Sequence, residues 1–116
     1  MDGHELIRVL EAFAKVDPEI QLQTILAFLY VARREKCTQK DVELELGMTN
    51  AAASRNISYW TDRRFDRKPG VGFIDRKEDD QDRRFKQLQL TARGQSFYEK
   101  ITGERHGKTS RKQVDR

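Results

Sequence analysis

Residues 38–60, TQKDVELELGMTNAAASRNISYW, and residues 72–91, GFIDRKEDDQDRRFKQLQLT, decide the fold of this chain. The first opens with Thr38-Gln39-Lys40-Asp41, a capping box in which Asp41 answers the Thr38 cap. A helix from Gln39 to Leu46 carries Val42, Leu44 and Leu46. Gly47 then supplies the left-handed residue that ends it. Met48 fills the turn, and Thr49 or Asn50 caps a second helix expected over 50–63. Helix, glycine turn and helix make a helix–turn–helix.

The second helix has a surface suited to a DNA groove. Ala51, Ala52 and Ala53 keep its N-terminal end slim. Asn50, Ser54, Arg55 and Asn56 offer donors and acceptors, and an arginine can bridge guanine O6 and N7. Ile57 and Trp60 face inward, whereas Tyr59 fits either core packing or a phosphate contact. The polar connector Thr61–Gly72 brings Arg63, Arg64, Arg67 and Lys68, which suit flanking phosphates or, equally, a solvated loop.

Beyond the connector the period changes to two. Phe73-Ile74 starts a strand and Phe85–Leu90 forms its partner, with Leu88 and Leu90 alternating with Gln87 and Gln89. The charged segment Lys77–Arg84 is the hairpin tip. Thr91 caps a last helix carrying Phe97, Tyr98 and Ile101.

Upstream, residues 3–15 read as an amphipathic helix with Asp2 and Glu5 as a capping box. Leu6, Leu10 and Phe13 share a face with Ile7 and Ala14 beside them, and so short a helix needs a partner surface. Asp17-Pro18 predicts a second helix running to Arg34. Its broad apolar face is Leu22, Ile25, Leu26, Phe28, Leu29 and Ala32. Cys37 falls in the following turn, where Lys36 and Lys40 would lower its pKa if it were a redox sensor; the alternative is a small packing residue.

Composition narrows the classes. The chain has 116 residues and suits one domain, 1–102, followed by a basic tail, 103–116, expected to be disordered. The net charge of +4 is unevenly spread. Residues 1–54 hold six basic and nine acidic residues, whereas residues 55–116 hold seventeen basic and ten acidic, a balance of +7. That basic half is the footprint of a polyanion partner. The sequence shows no apolar run of membrane length and no signal peptide, and its single cysteine fits a reducing cytoplasm. His4 and His106 stand near opposite ends, with no metal spacing and no phosphate-binding glycine loop, so neither an enzyme nor a cofactor is expected.

The segment Arg76–Arg84, followed by Leu90-Thr91-Ala92-Arg93-Gly94, resembles the wing of the multiple-antibiotic-resistance-regulator (MarR) family. That family's pattern has an Arg, an Asp-Pro step and an Asp-Arg-Arg, then Leu-Thr, two residues and Gly; Asp80 replaces the Pro here. Leu46-Gly47-Met48-Thr49 and Ser54-Arg55 add to the likeness, which covers residues 20–101. The connector after Trp60 is longer than is usual in the family, so the wing is expected to sit differently. The resemblance implies a mainly α fold with a β-hairpin wing, a winged helix–turn–helix with an extra N-terminal helix. It also implies a homodimer on pseudo-palindromic double-stranded DNA. The second helix would read the major groove through Thr49, Asn50, Ala51, Ala52, Ser54, Arg55 and Asn56, with Tyr59, Arg63 and Arg64 near phosphates. Arg83 or Arg84, oriented by Asp82, would enter the minor groove. Dimerisation would fall on the N-terminal helices and on Phe97, Tyr98 and Ile101, and a small-molecule or protein effector is left open. The expected function is a transcriptional regulator, most simply a repressor. Two alternatives stand beside it: a winged helix of plasmid partition, replication or phage gene control on repeat arrays, and a protein-interaction module that binds no DNA.

Overall fold

The computed structural model describes residues 1–34, 36–64, 67–78 and 86–103. Its order is α1 (Gly3–Val16), α2 (Leu22–Ala32), β1 (Cys37–Thr38), α3 (Gln39–Leu46), α4 (Asn50–Trp60), β2 (Ile74–Glu78), β3 (Lys86–Leu90) and α5 (Ala92–Thr102). This is a mainly helical winged helix–turn–helix with an added N-terminal helix. No helix among the described residues is long and apolar enough to cross a membrane.

The capping signals act as their chemistry requires. Asp2 with Glu5, and Thr38 with Asp41, close reciprocal capping boxes. Thr49, rather than Asn50, caps α4, and Thr91 caps α5. Gly47 takes φ 64° at the end of α3, the left-handed geometry that turns the chain into α4.

Three helix boundaries differ from expectation. Asp17 does not begin α2; its N–H closes α1 on Phe13 O, and its carboxylate accepts the Glu19 N–H at 3.0 Å. That local bond makes residues 17–20 a turn, and α2 starts only at Leu22. The same helix stops at Ala32, two residues short of Arg34. The third case is α4, which ends at Trp60, not residue 63, because the Thr61 hydroxyl and N–H both reach Ser58 O.

The apolar face of α2 is also rotated from the expected one. Thr24, Ile25, Ala27, Phe28, Val31 and Ala32 point inward, while Leu22 and Leu26 stay 67% and 39% exposed. Polar bonds set this angle: Trp60 Nε1 donates to Thr24 O at 2.7 Å, and Thr24 Oγ1 donates to Asn56 Oδ1 at 2.7 Å. The core then closes around aromatic rings. Phe28 meets Phe13, Trp60, Phe73, Phe97 and Tyr98 at centroid distances of 4.9–6.4 Å. Phe13 is the buried residue through which α1 joins this cluster.

The sheet holds one strand more than the sequence predicts. Its order is β1-β3-β2, all antiparallel, with Cys37 opposite Leu88 and Arg76 opposite Leu88 on the other side. Leu88 and Leu90 are buried and Gln87 and Gln89 exposed, as the alternation requires. Cys37, expected in a turn, is therefore a buried strand residue. Gly94 explains the glycine of the wing pattern: a Cβ there would lie 2.1 Å from Phe73 O, so only a bare backbone lets α5 pack on the start of the hairpin.

Candidate nucleic-acid interface

On α4, Asn50, Ala51 and Arg55 are exposed, and Ala52 and Ser54 are partly so. These form one outward surface at the N-terminal end of the helix. Ala53 is fully buried, so the slim end rests on Ala51 and Ala52 alone. Thr49 is exposed, with its hydroxyl accepting the Ala52 N–H. Asn50 Nδ2 donates to Glu43 Oε2 at 3.0 Å, which ties the helix start to α3.

Two residues assigned to DNA turn inward instead. Asn56 accepts from Thr24, donates to Ala52 O at 2.9 Å and approaches Met48 Sδ at 3.8 Å. Its amide braces α4 against α2, which leaves Asn50, Ser54 and Arg55 as the polar groups of α4's outward surface. Tyr59 resolves toward the body: its hydroxyl donates to Asp17 Oδ2 at 2.8 Å, with the Arg64 guanidinium 5.3 Å over its ring. Burial, then the bond to Asp17, raises the Tyr59 pKa. The Asp17 carboxyl is held below its usual range by the Glu19 N–H first and Tyr59 second.

The long connector folds back on itself and on the end of α4. Arg63 bridges to Pro69, and Arg64 N–H donates to Lys68 O at 2.8 Å, so the extra residues close into a loop. The chain then rejoins the end of α4. Val71 N–H bonds Tyr59 O, Gly72 N–H bonds Thr61 O, and Phe73 N–H bonds Trp60 O at 2.7 Å. Phe73 thereby stacks on Trp60, with centroids 5.8 Å apart and planes 14° off parallel. Arg63 lies exposed on this loop and Arg64 is partly covered.

Arg76, the first arginine of the wing pattern, has a role at the site that the sequence alone did not assign. Period two places it on the same face of β2 as the buried Ile74, toward the helices. Nη2 donates to Ser58 Oγ at 2.8 Å, and Nη1 donates to Gln39 Oε1 at 3.2 Å and reaches Ser54 O at 3.5 Å. Burial lowers its pKa from the ordinary guanidinium value. The wing and α4 are thus bonded directly. The available signal was a lone cation at a core-facing strand position. Asp82, Arg83 and Arg84 lie outside the described residues, as do residues 104–116 of the expected tail and His106.

Of the two readings of Cys37, the structure favours the small packing residue, since the side chain is buried. Burial, and then the nearby Asp41, push its thiol up to about 12, and Arg34 offsets this only in part. A thiol of that pKa is almost wholly protonated at pH 8. Iodoacetamide should modify Cys37 about a hundredfold more slowly, or slower still, in the folded chain than in urea. Equal rates in the two states would show the thiol to be open. Among the described residues, no group of three or more His, Cys, Asp or Glu is placed to hold a metal ion.

Fold and surface together define a winged helix–turn–helix protein whose α4 is bonded through Arg76 to the first strand of the hairpin. No family model matches the sequence, and no curated protein matches it. Solved structures do share its fold. RV1404 from Mycobacterium tuberculosis matches with a TM-score of 0.66 and 19% identity, over 95% of this chain and 68% of that one. FabT from Streptococcus pneumoniae, solved in complex with DNA, matches at 0.58 and 21%, over 84% of this chain and 62% of FabT. The S. aureus MepR–DNA complex matches at 0.63 and 21%, over 97% of this chain and 82% of MepR. The chain therefore spans less than two thirds of FabT and about two thirds of RV1404. The likeness to these solved structures shows the winged-helix fold.

Proposed function

We propose that this chain is a MarR-like transcriptional regulator that binds double-stranded DNA as a homodimer. The observation that carries this reading is the exposed surface Asn50, Ala51, Ser54 and Arg55 on α4, held beside the wing by Arg76. Two structures of the same fold, FabT and MepR, hold DNA, which supports the same use here. Thr49, Asn50, Ala51, Ala52, Ser54 and Arg55 enter the major groove. Arg63 and Arg64 lie along the flanking phosphates. At the wing tip, Arg83 or Arg84 enters the minor groove with Asp82 orienting it. Asn56 and Tyr59 act from behind, holding the angle of α4. Repression follows most simply from occluding a promoter.

Dimerisation falls on α1. Leu6, Ile7 and Leu10 are 48%, 57% and 45% exposed along one side of a helix that joins the body through Phe13. A second copy covers these three side chains. Another side of α1 lines an open groove of about 900 Å³ against α5, where Val9, Ala12, Val16, Phe97 and Ile101 mix with the charged Glu5, Arg8, Glu11, Lys15 and Lys100.

Selection of bound sequences from random DNA, with the mass of the complex measured alongside, tests this reading. A two-fold symmetric motif bound by two chains is the expected result. A row of direct repeats would point to partition or replication, and no binding at low salt would end the DNA reading. Arg55→Ala should cost about 1–3 kcal/mol at a cognate base pair and relax the preference there. A uniform loss across all sequences would move Arg55 to a phosphate contact.

A further inference from the structure

Arg76 carries a consequence beyond contact between wing and helix. Its guanidinium is half buried, and its hydrogen-bonding partners are all neutral: Gln39 Oε1, Ser54 O and Ser58 Oγ. No carboxylate among the described residues pairs with it. A cation desolvated without a counter-charge is costly, and an apolar side chain would seal the same seam at less cost. A guanidinium supplies direction instead. Its planar fork fixes several acceptors at once, which neither an apolar group nor an ammonium does. The acceptors belong to two different helices. Gln39 begins α3, and Ser54 and Ser58 lie one turn apart on α4, on the same face. Both Gln39 and Ser58 are themselves buried, so each bond is screened from water and set in a rigid frame. Arg76 sits in the middle of β2, opposite Leu88 of β3, so whatever orients Arg76 orients the hairpin.

We propose that Arg76 is a positioning residue that locks the wing hairpin to the recognition helix, so that wing and helix address neighbouring grooves as one rigid reader. This rests on the DNA-binding reading above. Arg76 touches no base in this scheme. It acts through the hairpin, and its fork to Ser58 sets the angle at which the hairpin leaves the body.

The test uses the full chain, a DNA duplex selected by the wild-type protein, and three variants. Arg76→Lys keeps the charge and loses the fork. Arg76→Met keeps much of the stem and loses the charge. Ser58→Ala leaves Arg76 in place and removes its shortest bond, so the question stays open to refutation even if Arg76→Met fails to fold. Two protections are read at saturating protein: guanine N7 against methylation, which reports the major groove, and the flanking minor grooves against hydroxyl radical. Arg76→Lys and Ser58→Ala should bind about tenfold more weakly or worse, the scale of one lost set of groove contacts. They should keep N7 protection while losing minor-groove protection. A purely structural role would lower both protections together through the folded fraction, and that result, or two unchanged protections, overturns the proposal. No protection by the wild-type chain would remove the DNA-binding reading and this inference with it. Wild-type protection with undivided variants would remove the inference alone.

Discussion

Trp60→Ala is expected to lower the unfolding free energy by about 3–5 kcal/mol, enough to unfold much of a marginally stable domain. Trp60 is fully buried and meets the rings of Phe13, Phe28, Tyr59 and Phe73. Truncation would leave a cavity among aromatic rings that cannot close over it, because each ring comes from a different element. It would also remove the buried indole N–H bond to Thr24 O, a second bond on a carbonyl within α2. Trp60→Phe isolates that second effect: most of the ring packing stays, and the lost hydrogen bond costs about 0.5–1.5 kcal/mol. Urea unfolding followed by circular dichroism measures both. If Trp60→Ala fell within about 1 kcal/mol of the parent, the aromatic cluster would not be the centre of stability assigned to it here.

The second large effect concerns assembly. On the proposed homodimer through α1, Leu6→Glu with Leu10→Glu should leave the chain a monomer and weaken its binding to a two-half-site duplex about 10²- to 10⁴-fold. That is the range over which linking two binding units raises avidity. Both side chains are roughly half exposed in the single chain, so the monomer fold should keep its thermal midpoint. Sedimentation velocity gives the mass, and titration of a two-half-site duplex gives the affinity. A variant that still sediments as a dimer would place the interface away from α1. A monomer that binds the full site undiminished would remove the homodimer from the mechanism.

Local chemistry made much of this fold legible. Caps act through residues three apart, so Thr38-x-x-Asp41 and the Thr49 and Thr91 caps could be found from sequence. Gly47 announces its turn because only glycine takes a positive φ without penalty. Period-two burial in β3 is a property of a strand with one dry face, and Leu88 and Leu90 show it directly. The outward surface of α4 at Ser54 and Arg55 follows from the same helical geometry that buries Ile57 and Trp60.

Long-range contacts were out of reach, because their partners are distant in sequence. Asp17 next to Pro18 reads as a helix start, yet its carboxylate is taken by Glu19 and by Tyr59, whose hydroxyl lies 42 positions on. Asn56 looks like a base-reading group until Thr24, 32 positions away, claims its carbonyl oxygen. Cys37 becomes a strand residue only because β3 comes alongside it. The sequence by itself determined the helices, the turn, the hairpin and the basic half of the chain, since each depends on neighbours within a few residues. The tertiary structure alone decided which polar groups remain free for a partner, because hydrogen-bonding capacity spent inside the body is no longer available at the surface.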